Sequence, residues 1–154
     1  MIKKDFGNNF KWGVATSSFQ IEGSNEIDGK LDSVWDVFTK TKDKIRNGDN
    51  AANACNHYEL WKEDFKLLKK LGVNSYRFSI SWPRVVKDDL KTKNQKGIDF
   101  YKSQIEELLK HDIEPFLTLN HWDIPQLFQE KGGWTKRDNI DYFLEYAHLL
   151  SKEY

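Results

Sequence analysis

The chain has 154 residues with 24 basic and 24 acidic side chains, so its formal net charge is zero. A neutral chain without a basic stripe excludes nucleic acid and anionic membrane as expected partners, and no apolar run approaches the roughly 20 residues of a membrane-spanning helix. Cys55 is the single cysteine, which excludes an internal disulfide, and residues 1–10 show no apolar leader core, so a reducing, cytoplasmic location is expected. Aromatic residues make up 14% of the chain, six of them Trp, a density that serves either a large core or a sugar site.

Residues 10–16 read as a short strand in which Gly13 allows close backbone approach. Residues 24–54 form a long Asn-, Asp- and Gly-rich loop, broken at 33–38 by a helical turn whose Trp35 and Phe38 are expected to anchor it. From 56 to 71 the spacing of Tyr58, Trp61, Phe65, Leu68 and Leu71 predicts a helix with one apolar face, ended by Gly72 as a left-handed cap. A second strand spans 75–81 and is closed by Trp82-Pro83-Arg84. A second helix spans 96–110 with Ile98, Tyr101, Ile105, Leu108 and Leu109 on its face, followed by a turn with Asp112 in the left-handed region.

The third strand opens at Pro115 and runs into Asn120-His121-Trp122-Asp123. An apolar strand that ends at an imidazole, an indole and a carboxylate suits one wall of a small-molecule site, since indole faces stack on sugars while imidazole and amide groups bond hydroxyls. The plain alternative is a strand end with a core Trp and a capping His. A short helix over 124–130, the Gly132-Gly133 break, and a helix capped by Thr135 and Asp138 follow, the last burying Ile140, Phe143, Ala147 and Leu150. Strand–helix alternation argues for right-handed βαβ crossovers and an α/β fold with a parallel sheet. Three strands leave two edges unpaired, which points to an incomplete domain.

The run Phe10-Lys11-Trp12-Gly13-Val14-Ala15-Thr16-Ser17-Ser18-Phe19-Gln20-Ile21-Glu22-Gly23 resembles the N-terminal signature of glycoside hydrolase family one, the β-glucosidases, β-galactosidases and 6-phospho-β-glucosidases. Ala54-Cys55-Asn56-His57-Tyr58, Tyr76-Arg77-Phe78-Ser79-Ile80-Ser81-Trp82-Pro83-Arg84, Asn94-Gln95-Lys96-Gly97-Ile98, His121-Trp122-Asp123-Ile124-Pro125-Gln126 and Lys131-Gly132-Gly133-Trp134 continue it in order. The resemblance implies a (β/α)8 TIM barrel, of which residues 1–154 are the N-terminal part with the first three βα units. Eight such units need roughly 400 residues.

The resemblance assigns Gln20, His121 and Trp122 to the subsite of the non-reducing sugar, and Arg77 to the arginine beside the nucleophilic carboxylate, whose ionised form it would favour. An ion pair in the barrel core is the plain reading of Arg77. Glu22, Asp64 and Asp123 are expected to be structural, His57 a cap or packing group, and Cys55 a small buried hydrophobe. Retaining glycosidases need two carboxyl groups about 5–5.5 Å apart. The family carries them in Asn-Glu-Pro and Glu-Asn-Gly motifs, and neither tripeptide occurs here. No catalytic residue is therefore assigned, and the 154-residue chain is expected to be inactive alone. It reads as a segment of a β-glucosidase-type enzyme of carbohydrate metabolism, as a non-catalytic carbohydrate-binding remnant, or as a split-barrel module that assembles with a complementary C-terminal segment or with itself. A β-glucoside is the expected sugar, with its 6-phospho form the near alternative. No metal or organic cofactor is implied.

Overall fold

The computed structural model describes residues 6, 7 and 9–154. The reading of residues 1–10 as leaderless falls partly outside them. In chain order the elements are β1 (Gly13–Ala15), α1 (Ser18–Ile21), α2 (Val34–Lys40), α3 (His57–Leu71), β2 (Ser75–Ser79), α4 (Trp82–Val85), α5 (Gln95–Lys110), β3 (Glu114–Thr118), α6 (Gln126–Glu130) and α7 (Ile140–Glu153), with single 3-10 turns between some of them. The three strands form one parallel sheet in the order β1-β2-β3. Arg77 of β2 lies between Ala15 of β1 and Phe116 of β3.

Side chains alternate across the sheet. Tyr76 and Phe78 point into the helix layer and are buried with Phe65, Ile98, Tyr101 and Leu108. Arg77 and Phe116 project from the opposite face, where Phe116 is 45% exposed. This is the face that a closed barrel would turn inward, and here it is open.

α3 and α5 form where the apolar spacing predicts, and each buries part of its stripe. Phe65 is fully covered while Leu71 is exposed; on α5, Ile98, Tyr101 and Leu108 are covered while Leu109 faces out and Gln104 takes a buried position. Gly72 at φ 68° and Asp112 at φ 58° adopt the expected left-handed turns. Gly97 lets α5 lie directly on the Arg84 carbonyl, where a Cβ would collide. Trp82 stacks on Tyr146 of α7 with ring centres 4.7 Å apart and an interplanar angle of 12°, and Phe128, Trp134 and Phe143 pack around that pair.

Several expectations are corrected. Strand β1 covers three residues rather than seven, and Ser18–Ile21 coil into a helical turn. Trp35 and Phe38 do not anchor the long loop, since both are more than a third exposed. The anchors are the Val34 N–H to Ile124 carbonyl bond (3.0 Å), the Leu31 N–H to Pro83 carbonyl bond (2.9 Å) and the buried Lys30–Asp36 pair (2.7 Å). Ser33 and Asp36 form the reciprocal capping box that starts α2. The box expected from Thr135 and Asp138 does not form. Thr135 closes a 3-10 turn onto Gly132, and α7 begins only at Ile140, because the Asn139 side chain bonds the Lys131 and Gly133 carbonyls. Cys55 is exposed rather than buried, as it lies on the loop just before α3.

Candidate functional site

β1 delivers the chain to α1, and there the Ser17 hydroxyl donates to Gln20 Oε1 at 2.6 Å. That bond fixes the amide so that Nε2 remains an available donor. At the end of β3 the Trp122 N–H donates to Asn120 Oδ1 at 3.2 Å, an Asx turn that holds Trp122 at φ 79°. The indole is thereby pushed out to 76% exposure.

Gln20, His121 and Trp122 line one cavity of about 390 Å³, together with Ser17, Phe19 and Trp35. The volume lies in the range of small-molecule sites. Three aromatic rings and one amide facing a half-buried imidazole suit a ligand with both apolar faces and hydroxyl groups. Trp35, read from sequence as a loop anchor, is a wall of this cavity. Only the helical phase of α2 could have revealed it.

Arg77 does not line the cavity. It extends from the open sheet face, with Nε donating to Thr118 Oγ1 at 2.8 Å. Behind the cavity the expected structural carboxylates carry dense bonding. Glu22 accepts from Arg84 Nε at 3.0 Å and from the Tyr101 hydroxyl at 2.5 Å, while Arg84 Nη2 donates to the Gly23 carbonyl at 3.1 Å. Arg84 is fully buried, with its guanidinium 4.2 Å from the Tyr58 ring centre. Burial alone would disfavour the Arg84 charge, but the Glu22 carboxylate outweighs it and holds the guanidinium ionised. Asp123 is buried and accepts from the Ser18 hydroxyl at 2.6 Å; burial pushes its carboxyl above the usual range, against that hydrogen bond. His57 is buried between Asp64 (2.6 Å) and Gln104 (3.3 Å), a packing role as expected. Among the described residues no three His, Cys, Asp or Glu side chains cluster as metal ligands, and no helix is long and apolar enough to cross a membrane.

A parallel sheet with helices on one face, strand ends meeting at a hollow, and the other face open is the beginning of a (β/α)8 barrel. Residues 2–154 match the sequence model of Glycosyl hydrolase family 1, and the chain belongs to that family. It is 48% identical over 154 residues to Beta-glucosidase A of Thermotoga maritima, covering all of this chain and 34% of that protein. It is 47% identical over 152 residues to the aryl-phospho-beta-D-glucosidase of Bacillus subtilis, covering 98% of this chain and 32% of that one. Its fold superimposes on the Thermotoga maritima beta-glucosidase in complex with deoxynojirimycin with a TM-score of 0.93 at 49% identity, over 96% of this chain and 34% of that structure. The chain thus spans about a third of the length of these relatives.

Proposed function

We propose that residues 1–154 act as one unit, the N-terminal part of a retaining β-glucosidase, and carry a wall of the subsite for the terminal sugar. The observation that carries this reading is the shared cavity of Gln20, His121 and Trp122, in a chain 48% identical to a beta-glucosidase. Gln20 Nε2 donates to one hydroxyl of the ring and the His121 imidazole bonds its neighbour. Trp122 supplies an indole N–H and an apolar face, with Phe19 and Trp35 closing the hollow. Arg77 acts on the open face, where its charge would lower the pKa of a nucleophilic carboxylate from another part of a barrel. Glu22 and Asp123 are buried and already engaged, so neither serves as acid/base or nucleophile. The two carboxyl groups that hydrolysis needs belong to the portion of the family that this chain does not span, and the chain alone does not turn over. The sugar is a β-glucoside, with the 6-phospho form the near alternative, supported by the likeness to the Bacillus subtilis enzyme. An exposed lone thiol fits a reducing, cytoplasmic setting.

A second reading has its own observation. Among the described residues the outer edges of β1 and β3 lack strand neighbours, and Arg77 and Phe116 sit on an open face. A complementary C-terminal barrel segment would pair those edges and cover that face. Mixing the chain with such a segment and measuring the mass by size exclusion tests it. A monomer that ignores the segment counts against assembly.

Calorimetric titration with deoxynojirimycin tests the main reading. The chain is expected to bind it, and Gln20→Ala and His121→Ala should each weaken binding by about tenfold, the worth of one buried hydrogen bond. No binding by the chain, or variants that both bind as tightly as the unaltered chain, removes the subsite. A purified chain that cleaves an aryl β-glucoside above background refutes the assignment of the missing carboxylates.

A further inference from the structure

The two walls of the cavity come from segments about a hundred residues apart in sequence. A join between them lies one layer below. The Ser18 N–H donates to Ser79 Oγ at 2.7 Å, the Ser18 and Ser79 hydroxyls are 3.0 Å apart, and the Ser18 hydroxyl donates to Asp123 Oδ2 at 2.6 Å. All three side chains are buried. Ser18 stands two residues before Gln20 on α1, Ser79 ends β2, and Asp123 directly follows His121 and Trp122. One chain of bonds therefore ties the C-terminal ends of all three strands.

Asp123 Oδ1 has no protein partner among the described residues. Asp123 also borders a buried hollow of about 10 Å³ shared with Lys30, Ser33 and Ser81, a size that suits one water. A buried carboxylate costs free energy unless its bonds are made. Spending one at this place, where a packed apolar residue would be cheaper, is explained if geometry is what it supplies.

We propose that Ser18, Ser79 and Asp123 are positioning residues that set the span between the Gln20 wall and the His121–Trp122 wall of the cavity. The proposal rests on the sugar-subsite reading only for the ligand; the span itself is a property of the chain. A binding group must be held within about half an ångström of its productive place by support of this kind. Ser18 supplies the donor and Asp123 the acceptor. Asp123→Asn keeps an oxygen for the Ser18 hydroxyl and should preserve the span, whereas Ser18→Ala and Asp123→Ala remove it.

The experiment compares 1H–15N spectra of the 154-residue chain and its Ser18→Ala, Ser79→Ala, Asp123→Ala and Asp123→Asn variants, first without ligand and then with deoxynojirimycin. Without ligand, the Trp122 indole and Gln20 side-chain amide resonances should move in Ser18→Ala and Asp123→Ala. They should hold in Asp123→Asn, with the Trp61 indole on α3 unmoved throughout as the internal reference. With ligand, Ser18→Ala should bind about tenfold more weakly and Asp123→Asn close to wild type. Ser79→Ala, which cuts the link at its far end, should show the same displacement in smaller measure and stands in if Ser18→Ala fails to fold. Folded Ser18→Ala and Asp123→Ala variants whose Trp122 and Gln20 resonances stay in place overturn the proposal, as does Asp123→Asn behaving like Asp123→Ala. If the wild-type chain ignores deoxynojirimycin, the sugar reading falls, and the ligand-free spectra still decide the span.

Discussion

Glu22→Ala should be the most damaging single substitution outside the apolar core. Arg84 is fully buried, and its charge is answered by Glu22 at 3.0 Å, the Gly23 carbonyl at 3.1 Å and the face of Tyr58. Removing the carboxylate leaves a buried guanidinium with one carbonyl and the rings of Tyr58 and Phe100. Breaking such a pair costs about 3–5 kcal/mol, a large part of the ~5–15 kcal/mol that holds a domain together. With a urea slope of about 2 kcal/mol/M, a loss of about 3 kcal/mol lowers the unfolding midpoint by about 1.5 M. The Glu22→Ala/Arg84→Met double variant removes both charges and should regain most of this, since apolar replacement of a whole buried pair is often neutral or better. Recovery stays incomplete because the ring contact is lost as well. Equilibrium urea unfolding by far-UV circular dichroism reads both. A Glu22→Ala midpoint within about 0.3 M of wild type, which is ~0.6 kcal/mol at that slope, or a double variant weaker than the single, would refute the reasoning.

Gly97→Ala should destabilise by up to about 2 kcal/mol in the same assay, because crowding against the Arg84 carbonyl, about 1–3 kcal/mol, outweighs the ~1 kcal/mol that alanine gains in a helix; a more stable variant refutes it. Burial would raise the Asp36 carboxyl, but the Lys30 ammonium and the Ser33 bonds bring it below its ordinary value. A lowered folded pKa means stability present above the unfolded value of about 3.9 and lost as pH falls through the folded one. The deficit of Asp36→Asn should therefore be largest near neutral pH and shrink in acid, and a constant deficit refutes the pairing. Asp123 carries the opposite sign: burial raises its pKa, so its favourable contribution is present below the unfolded value and is lost as pH rises through the folded one. The stability of Asp123→Asn relative to wild type should thus climb with pH. Asn120→Ala should release Trp122 from its left-handed turn and weaken deoxynojirimycin binding while leaving the urea midpoint within about 0.5 kcal/mol equivalent.

Periodicity carried the helices because α3 and α5 each present one stripe to one sheet, and Phe65, Ile98, Tyr101 and Leu108 are where the spacing puts them. It fails at the margins. Leu71 and Leu109 match the pattern yet are exposed, while Gln104 is buried where His57 meets it. Tyr146 sits between the predicted positions of the last helix, and its burial follows from Trp82, a contact of distant segments that no local pattern encodes. Of the cavity, Gln20, His121 and Trp122 were readable from their motifs. Trp35 was not, since it arrives on a long loop whose path is fixed by backbone bonds to Pro83 and Ile124. The buried role of Arg84 was hidden for the same reason: a charged residue after a strand reads as surface until Glu22 is seen opposite.

The stacked rings of Trp82 and Tyr146, 4.7 Å apart and nearly parallel, lie where the last helix packs. Transitions of chromophores so close and so fixed couple, and the pair with the rings packed around it contributes to the near-ultraviolet dichroism. Near-ultraviolet signal depends on locked side chains while far-ultraviolet signal does not. The chain therefore carries a built-in optical gauge: if its closing helix lifts away with its coil intact, that band fades first.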